Sequence, residues 1–314
     1  MTFNVEDCDG GYAGTEVQSV LDSRALEIVD IIKDKNIDVV VFQEIQPGSG
    51  THDKYGDDSR SSNGDVSTMN RAFIKRDYIM PYYAFNSAGS IRRDFIAVWS
   101  KIRPTGIVSV FPTDGGFDPS TGNKYRPSRP ILRFRVQHGS HDIWFYGCHL
   151  KSNSGGVIEQ NAGNRRAQAF HLARYIMRNQ NPEKDLIVIL GDMNTMEEDY
   201  DAKSGNATMD FLCLRYDNPF NLANDFIPVN LNEIGAVTNS PVPLWGAGTL
   251  GTTHPGSDNG TGYSDATFDH ILVSPTIYNG GYYAPGSINI IRKSRRFGGG
   301  PADHFPVMLT LTNL

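Results

Sequence analysis

Five apolar stretches of this chain begin or end at side chains able to hold a cation or a phosphate. Val39-Val40-Val41-Phe42-Gln43 leads into Glu44, and residues 143–148 lead into His149, with Lys151 two positions on. Leu186-Ile187-Val188-Ile189-Leu190-Gly191 leads into Asp192 and Asn194. Asp269 heads the run Phe268-Asp269-His270-Ile271-Leu272-Val273, and Asp303-His304 stands before the last apolar run. Carboxylates are hard oxygen donors suited to cations such as Mg²⁺, and imidazoles exchange protons near neutral pH. Taken singly, each has an ordinary explanation. A Glu after a strand is its first solvated residue, and Asp-x-Asn after a strand is a turn. Five in succession, each at the end of an apolar run, are much harder to assign to turns.

The elements that must position these residues are short strands and two helices. Strands are expected at 37–42, 95–99, 107–111, 131–136, 143–149, 186–190, 268–273 and 307–311. The continuous apolar runs at 39–42 and 186–190 suit strands covered on both faces. Leu21, Ala25, Ile28 and Ile32 recur at helical spacing within 16–35, and Ala169, Leu172, Ala173 and Ile176 within 158–179. The mixture predicts an α+β or layered α/β sandwich with helices outside. Residues 48–64, 113–129 and 246–262 gather Gly, Pro and polar residues into long loops, the usual place for function. None has a linker's composition, so a single domain over 1–314 is expected.

The chain has 314 residues, 29 Lys+Arg and 35 Asp+Glu, for a net charge of −6. That acidity argues against gripping nucleic acid by bulk positive charge. It leaves open an enzyme that reaches phosphate through a divalent metal. Cys8, Cys148 and Cys213 follow no zinc spacing and read as free, mostly buried thiols, with one disulfide plus a free thiol as the alternative. No apolar run approaches the ~20 residues that span a bilayer. Met1-Thr2-Phe3-Asn4-Val5 has neither the basic nor the apolar part of a signal peptide. A cytoplasmic location follows if this start is native, and an extracellular or periplasmic one if it is processed.

Six pieces, in this order, resemble the endonuclease/exonuclease/phosphatase superfamily, the DNase I-like fold. They are Thr2-Phe3-Asn4-Val5-Glu6, Phe42-Gln43-Glu44, Cys148-His149-Leu150-Lys151-Ser152, Gly191-Asp192-Met193-Asn194, Phe268-Asp269-His270 and Ala302-Asp303-His304-Phe305-Pro306. The resemblance implies a four-layer sandwich with two central mixed sheets, its first strand shortened. It also implies metal-dependent cleavage of a phosphoester, with Mg²⁺ first and Mn²⁺ or Ca²⁺ as alternatives. On that reading Glu44 holds the cation with Asp303 and Asn4. His304 is the general base, oriented by Asp269, and Asp192 orients or deprotonates the water. Asn194 donates to a phosphate oxygen. His149 bonds the scissile phosphate and can protonate the leaving oxygen. Arg129, in Arg126-Pro127-Ser128-Arg129-Pro130, and Lys151 contact phosphate, although Lys151 equally suits a surface ion pair. Arg165 and Arg166 are read as phosphate contacts or as a solvated helix face, and His254 as a loop residue.

The substrate is less determined, because fold does not decide it. Cys148-His149-Leu150-Lys151-Ser152 followed by Asn164-Arg165-Arg166-Ala167-Gln168-Ala169 looks most like the bacterial nuclease-type branch. Thr195-Met196 departs from the inositol-polyphosphate 5-phosphatase pattern, and His149-Leu150-Lys151 from the sphingomyelinase pattern. Nucleic acid, DNA before RNA, is therefore the first expected substrate, with no obligate protein partner and a monomeric enzyme. Lys54, Tyr55, Arg60, Arg71, Lys75, Arg76, Arg92, Arg93, Lys293, Arg295 and Arg296 are candidates for lining a groove. A small or lipid-borne phosphoester is the second reading. An inactive copy used as a binding module is the third.

Overall fold

The structure is a computed structural model that describes residues 1–5, 18–45, 65–86, 95–110, 122–123, 129–152, 158–194, 268–283, 289–291, 302 and 304–314. Among these, eleven strands form two mixed sheets. The first sheet contains β1 (Thr2–Asn4), β2 (Val39–Ile45), β3 (Tyr82–Phe85), β4 (Phe95–Ser100), β10 (Asn289–Ile290) and β11 (Val307–Met308), in the order β10-β11-β1-β2-β4-β3. The second contains β5 (Thr105–Val110), β6 (Ile131–His138), β7 (His141–His149), β8 (Leu186–Asp192) and β9 (Asp269–Val273), in numerical order. The helices are α1 (Gln18–Asp34), α2 (Asp65–Lys75), α3 (Ile158–Asn179) and the single turn α4 (Pro275–Asn279).

Alternation along the strands makes four layers. In β2, Val40 and Phe42 point outward, where they join Ile28 and Ile32 of α1, Met69 and Phe73 of α2, Phe3 and Trp99 in one core. Phe42 meets Trp99 edge to face with centroids 5.4 Å apart, and the Trp99 indole N–H donates to Asn70 at 2.9 Å. Val41 points the other way, into a core between the sheets with Ile96, Leu132, Phe134, Val188, Leu190 and Ile271. On the far side α3 lays Phe170, Leu172, Ala173 and Ile176 over Tyr146, Ile187 and Ile189. Each of these larger side chains contributes about 2–3 kcal/mol by leaving water. The sheets approach so closely at Gly147 that a Cβ there would sit 2.9 Å from Val41 Cγ1 and 3.0 Å from Ile96 Cγ2.

Strand direction explains where the polar residues end up. β1 and β2 are parallel, with Asn4 opposite Gln43, so Asn4 and Glu44 lie at the same end. β11 runs antiparallel to β1, which brings His304, three residues before it, to that end. β7 and β8 are parallel and pair His149 with Asp192. β9 runs back along β8 and pairs Asp269 with Asp192.

The layered sandwich expected from sequence is present, with differences in its elements. Residues 65–75, just past the expected loop at 48–64 and assigned to no element from the sequence, form α2. The last strand covers Val307–Met308 rather than 307–311, and Leu311 makes only an isolated bridge to Tyr283. Cys148 is free and buried. Cys8, Cys213, His254, Asp303, Lys54, Tyr55, Arg60, Arg92, Arg93, Lys293, Arg295 and Arg296 lie outside the described residues. Among the described residues, no helix is long and apolar enough to cross a membrane.

Candidate active site

Six strand-end residues meet where the two sheets face each other. The Asn4 side-chain amide donates to Glu44 Oε1 at 3.1 Å and to Asp192 Oδ2 at 2.9 Å. It thus ties a carboxylate of one sheet to a carboxylate of the other. His149 Nε2 lies 3.5 Å from Glu44 Oε1 and 3.6 Å from Asp192 Oδ2. Glu44, His149 and Asp192 each offer an atom within 4.8 Å of the others, a group able to hold a metal ion. Across from them His304 Nδ1 and Asp269 Oδ2 are 2.7 Å apart, and His304 Nε2 stands 4.0 Å from Asp192 Oδ2. Asn4, His149, Asp192, Asp269 and His304 are buried. The Glu44 side chain is 26% exposed and opens the group to solvent.

Two strand ends are bent to aim their side chains. The β2–β4 register shifts between Phe42 and Ile45, and within that bulge Glu44 adopts φ +59°. Asn194 adopts φ +48° after β8. Left-handed backbone is uncommon outside glycine and concentrates where surrounding structure enforces it. Between them Gly191 has φ +145°, and a Cβ there would lie 2.0 Å from the Cys148 carbonyl oxygen. Only glycine lets β8 pass that close to β7 and present Asp192 beside His149.

Burial dominates the electrostatics. It pushes the Asp192 carboxyl up to about 6, with the charge of Asp269 adding. His304 and the hydrogen bonds from the Asn4 side chain and the Asn194 backbone pull it back. Burial also holds His149 well below the ordinary imidazole range, helped by the positive charges of Arg129, His304 and Lys151. His149 is therefore neutral, and its approaches to Glu44 and Asp192 are not ion pairs.

The remaining predicted residues surround this group. The Asn194 backbone N–H donates to Asp192 Oδ1 at 2.8 Å, and its side-chain amide to the Leu150 carbonyl at 3.1 Å. It therefore builds the turn and ties β8 to the end of β7. Arg129 Nη1 donates to the same Leu150 carbonyl at 2.7 Å, and Lys151 Nζ to the Ser152 carbonyl at 2.9 Å. Arg165 is fully buried and Arg166 nearly so, which excludes the solvated helix face. Arg166 pairs with Glu159 at 2.8 Å. Arg76 is taken up by Asp30 on α1. Sequence reasoning missed Gln168, which binds the Lys151 backbone N–H at 2.9 Å, and Arg24, which donates to the carbonyl of Val5 at 3.0 Å. The signal for Gln168 was a polar residue inside the apolar stripe of α3.

The description endonuclease/exonuclease/phosphatase family belongs to a family model that matches residues 1–288. The chain belongs to this family. Its members are phosphoester hydrolases, and that is the reaction class of the chain. No curated protein matches the sequence. Among solved structures, it is similar to an endonuclease/exonuclease/phosphatase family protein from Leptotrichia buccalis, with TM-score 0.58 and 16% identity over 99% of this chain and 97% of that one. It is similar to truncated Caenorhabditis elegans TDP2, with TM-score 0.57 and 15% identity over 98% and 93% of the two chains. The 3′ phosphatase NExo from Neisseria, bound to product DNA hairpin, gives TM-score 0.55 and 15% identity over 99% and 97%. At such identities the likeness is one of fold, the DNase I-like sandwich.

Proposed function

We propose that this family member is a divalent-metal-dependent phosphodiesterase that cleaves nucleic acid, DNA before RNA, with low sequence specificity. The observation that carries the reading is one group of facing residues. Glu44, His149 and Asp192 lie within 4.8 Å of one another, and His304 stands opposite with Asp269 at 2.7 Å. The likeness in fold to a 3′ phosphatase bound to product DNA supports the choice of nucleic acid.

The donor set fits a hard cation. Two carboxylates converge, and Glu44 leaves an opening through which bound waters could stay, as Mg²⁺ requires. Glu44 and Asp192 would hold the ion, with Asn4 fixing both carboxylates. Asp303 is proposed as a further ligand. A bound cation neutralises phosphate charge and stabilises the leaving oxygen.

The chain's own residues supply the rest. Asp269 is an acceptor toward His304 Nδ1, so that nitrogen carries the proton and Nε2 is left to take one from the attacking water. Asp192 orients that water. His149, kept neutral by burial, donates from Nε2–H to a phosphate oxygen. Its depressed basicity fits a hydrogen-bond donor better than the acid for the leaving oxygen. Asn194 keeps its second amide hydrogen for phosphate, and Arg129 and Lys151 add positive charge beside it.

A panel of plasmid DNA, RNA, phospholipid and a generic phosphodiester, each with Mg²⁺, Mn²⁺, Ca²⁺ or chelator, tests the reading. Nucleic acid should be cleaved fastest, and only with metal. Preference for phospholipid would move the substrate to the second reading, and silence on every substrate would leave a binding module.

A further inference from the structure

We propose that Arg165 and Gln168 of α3 are positioning residues for the phosphate-binding end of β7, acting on His149 through the peptides that follow it. The inference deepens the function proposed above and rests on it. Gln168 Oε1 accepts the Lys151 N–H at 2.9 Å, and Arg165 Nη1 donates to the Lys151 carbonyl at 3.1 Å. The two side chains, one helical turn apart, therefore hold both polar groups of a single residue. The preceding residue is held as firmly from the other elements. Leu150 N–H donates to the Asp192 carbonyl at 2.9 Å, and its carbonyl receives Arg129 and Asn194. The chain leaving β7 is thus pinned at four polar groups, directly after the residue that touches Glu44 and Asp192.

Such pinning is costly, which argues for a purpose. Arg165 has no exposed surface, and Gln168 is 1% exposed. Among the described residues, Gln168 Nε2 is buried with no hydrogen-bond partner. An orphaned buried amide lowers stability. Apolar residues at these two positions would continue the α3 stripe without that cost. What they would lose is the fixed path from His149 to Ser152. Transition-state stabilisation depends on placing donors to a fraction of an ångström.

The test combines amide hydrogen exchange with kinetics on bis(p-nitrophenyl) phosphate and Mg²⁺. Gln168→Met should speed exchange of the Lys151 amide at least tenfold and leave the Leu186–Leu190 amides protected. It should cut kcat about tenfold, with the melting temperature within a few degrees, since the orphaned amide is removed too. Gln168→Glu, which keeps an acceptor, should recover part of both. Arg165→Lys should act in the same direction and serves if Gln168→Met does not fold. In a His149→Ala background, Gln168→Met should cost less than about twofold more. Unchanged Lys151 exchange would overturn the clamp. So would wild-type turnover despite faster exchange, or the same tenfold loss without His149. If the parent enzyme turned over no phosphoester, the function proposed above would fall, and the exchange result alone would decide the clamp.

Discussion

Asp192 and Glu44 each carry a cost that the proposed chemistry would repay. The Asp192 carboxyl titrates at about 6 in the folded protein against 3.8 when unperturbed. A carboxyl raised on folding stabilises the native state when protonated. That contribution is full below 3.8 and disappears as pH rises through about 6. Two pKa units correspond to about 3 kcal/mol. About half of it remains at pH 5, so the metal-free protein should melt about 2 °C lower at pH 8 than at pH 5 on this account. Asp192→Asn should flatten that dependence, raise the melting temperature at pH 8, and abolish turnover. A scanning calorimetry series in buffer with chelator checks both parts. His304→Ala removes the proposed base and should lower kcat about a thousandfold with an unchanged circular dichroism spectrum. Near-normal turnover would transfer the base role elsewhere. At Glu44 the left-handed backbone costs about 1–2 kcal/mol for a residue with a Cβ.

Among the elements, β8 is the most tightly constrained. Gly191→Ala would drive a methyl group into the Cys148 carbonyl and force β8 away from β7. The expected outcome is loss of most activity together with a fall in unfolding free energy of more than 2 kcal/mol by denaturant titration. An intact, active variant would mean that the β7–β8 spacing is not critical. β2 and β8 were legible in the sequence because their continuous apolar runs reflect burial on both faces, and α3 because its apolar stripe is long. Glu44, His149, Asp192, Asp269 and His304 were legible as the polar residues at the ends of such runs. β1 was not, because three residues show no period; the motif around Asn4 marked it instead. α2 carries Val66, Met69, Ala72 and Phe73 on one face, but the polar, glycine-rich stretch before it hid the pattern. The bulge at Glu44 left no trace, since backbone φ is set by pairing with β4 rather than by the side chain. For Arg165 and Arg166 the solvated face stayed open as a reading because burial of a charged side chain depends on tertiary partners.

Over the whole molecule, each sheet contributes half of the proposed cation site, Glu44 from one and Asp192 from the other. A divalent ion bound there links the layers. Binding to the native state alone should add about 2.7 kcal/mol at a hundredfold excess over Kd, seen as a melting temperature that rises with Mg²⁺ and falls with chelator. Glu44→Gln should remove most of that rise, and a rise that persisted would place the ion elsewhere. The same division has a consequence for how the protein could be taken apart. Chain order puts β1 to β4 of one sheet before residue 101, and every strand of the other sheet after residue 104. A cut in that connection leaves Asn4 and Glu44 on one piece and His149, Asp192, Asp269 and His304 on the other. Neither piece carries a complete set, so hydrolysis would return only on reassembly, making the enzyme a split reporter for the proximity of whatever is fused to its two parts.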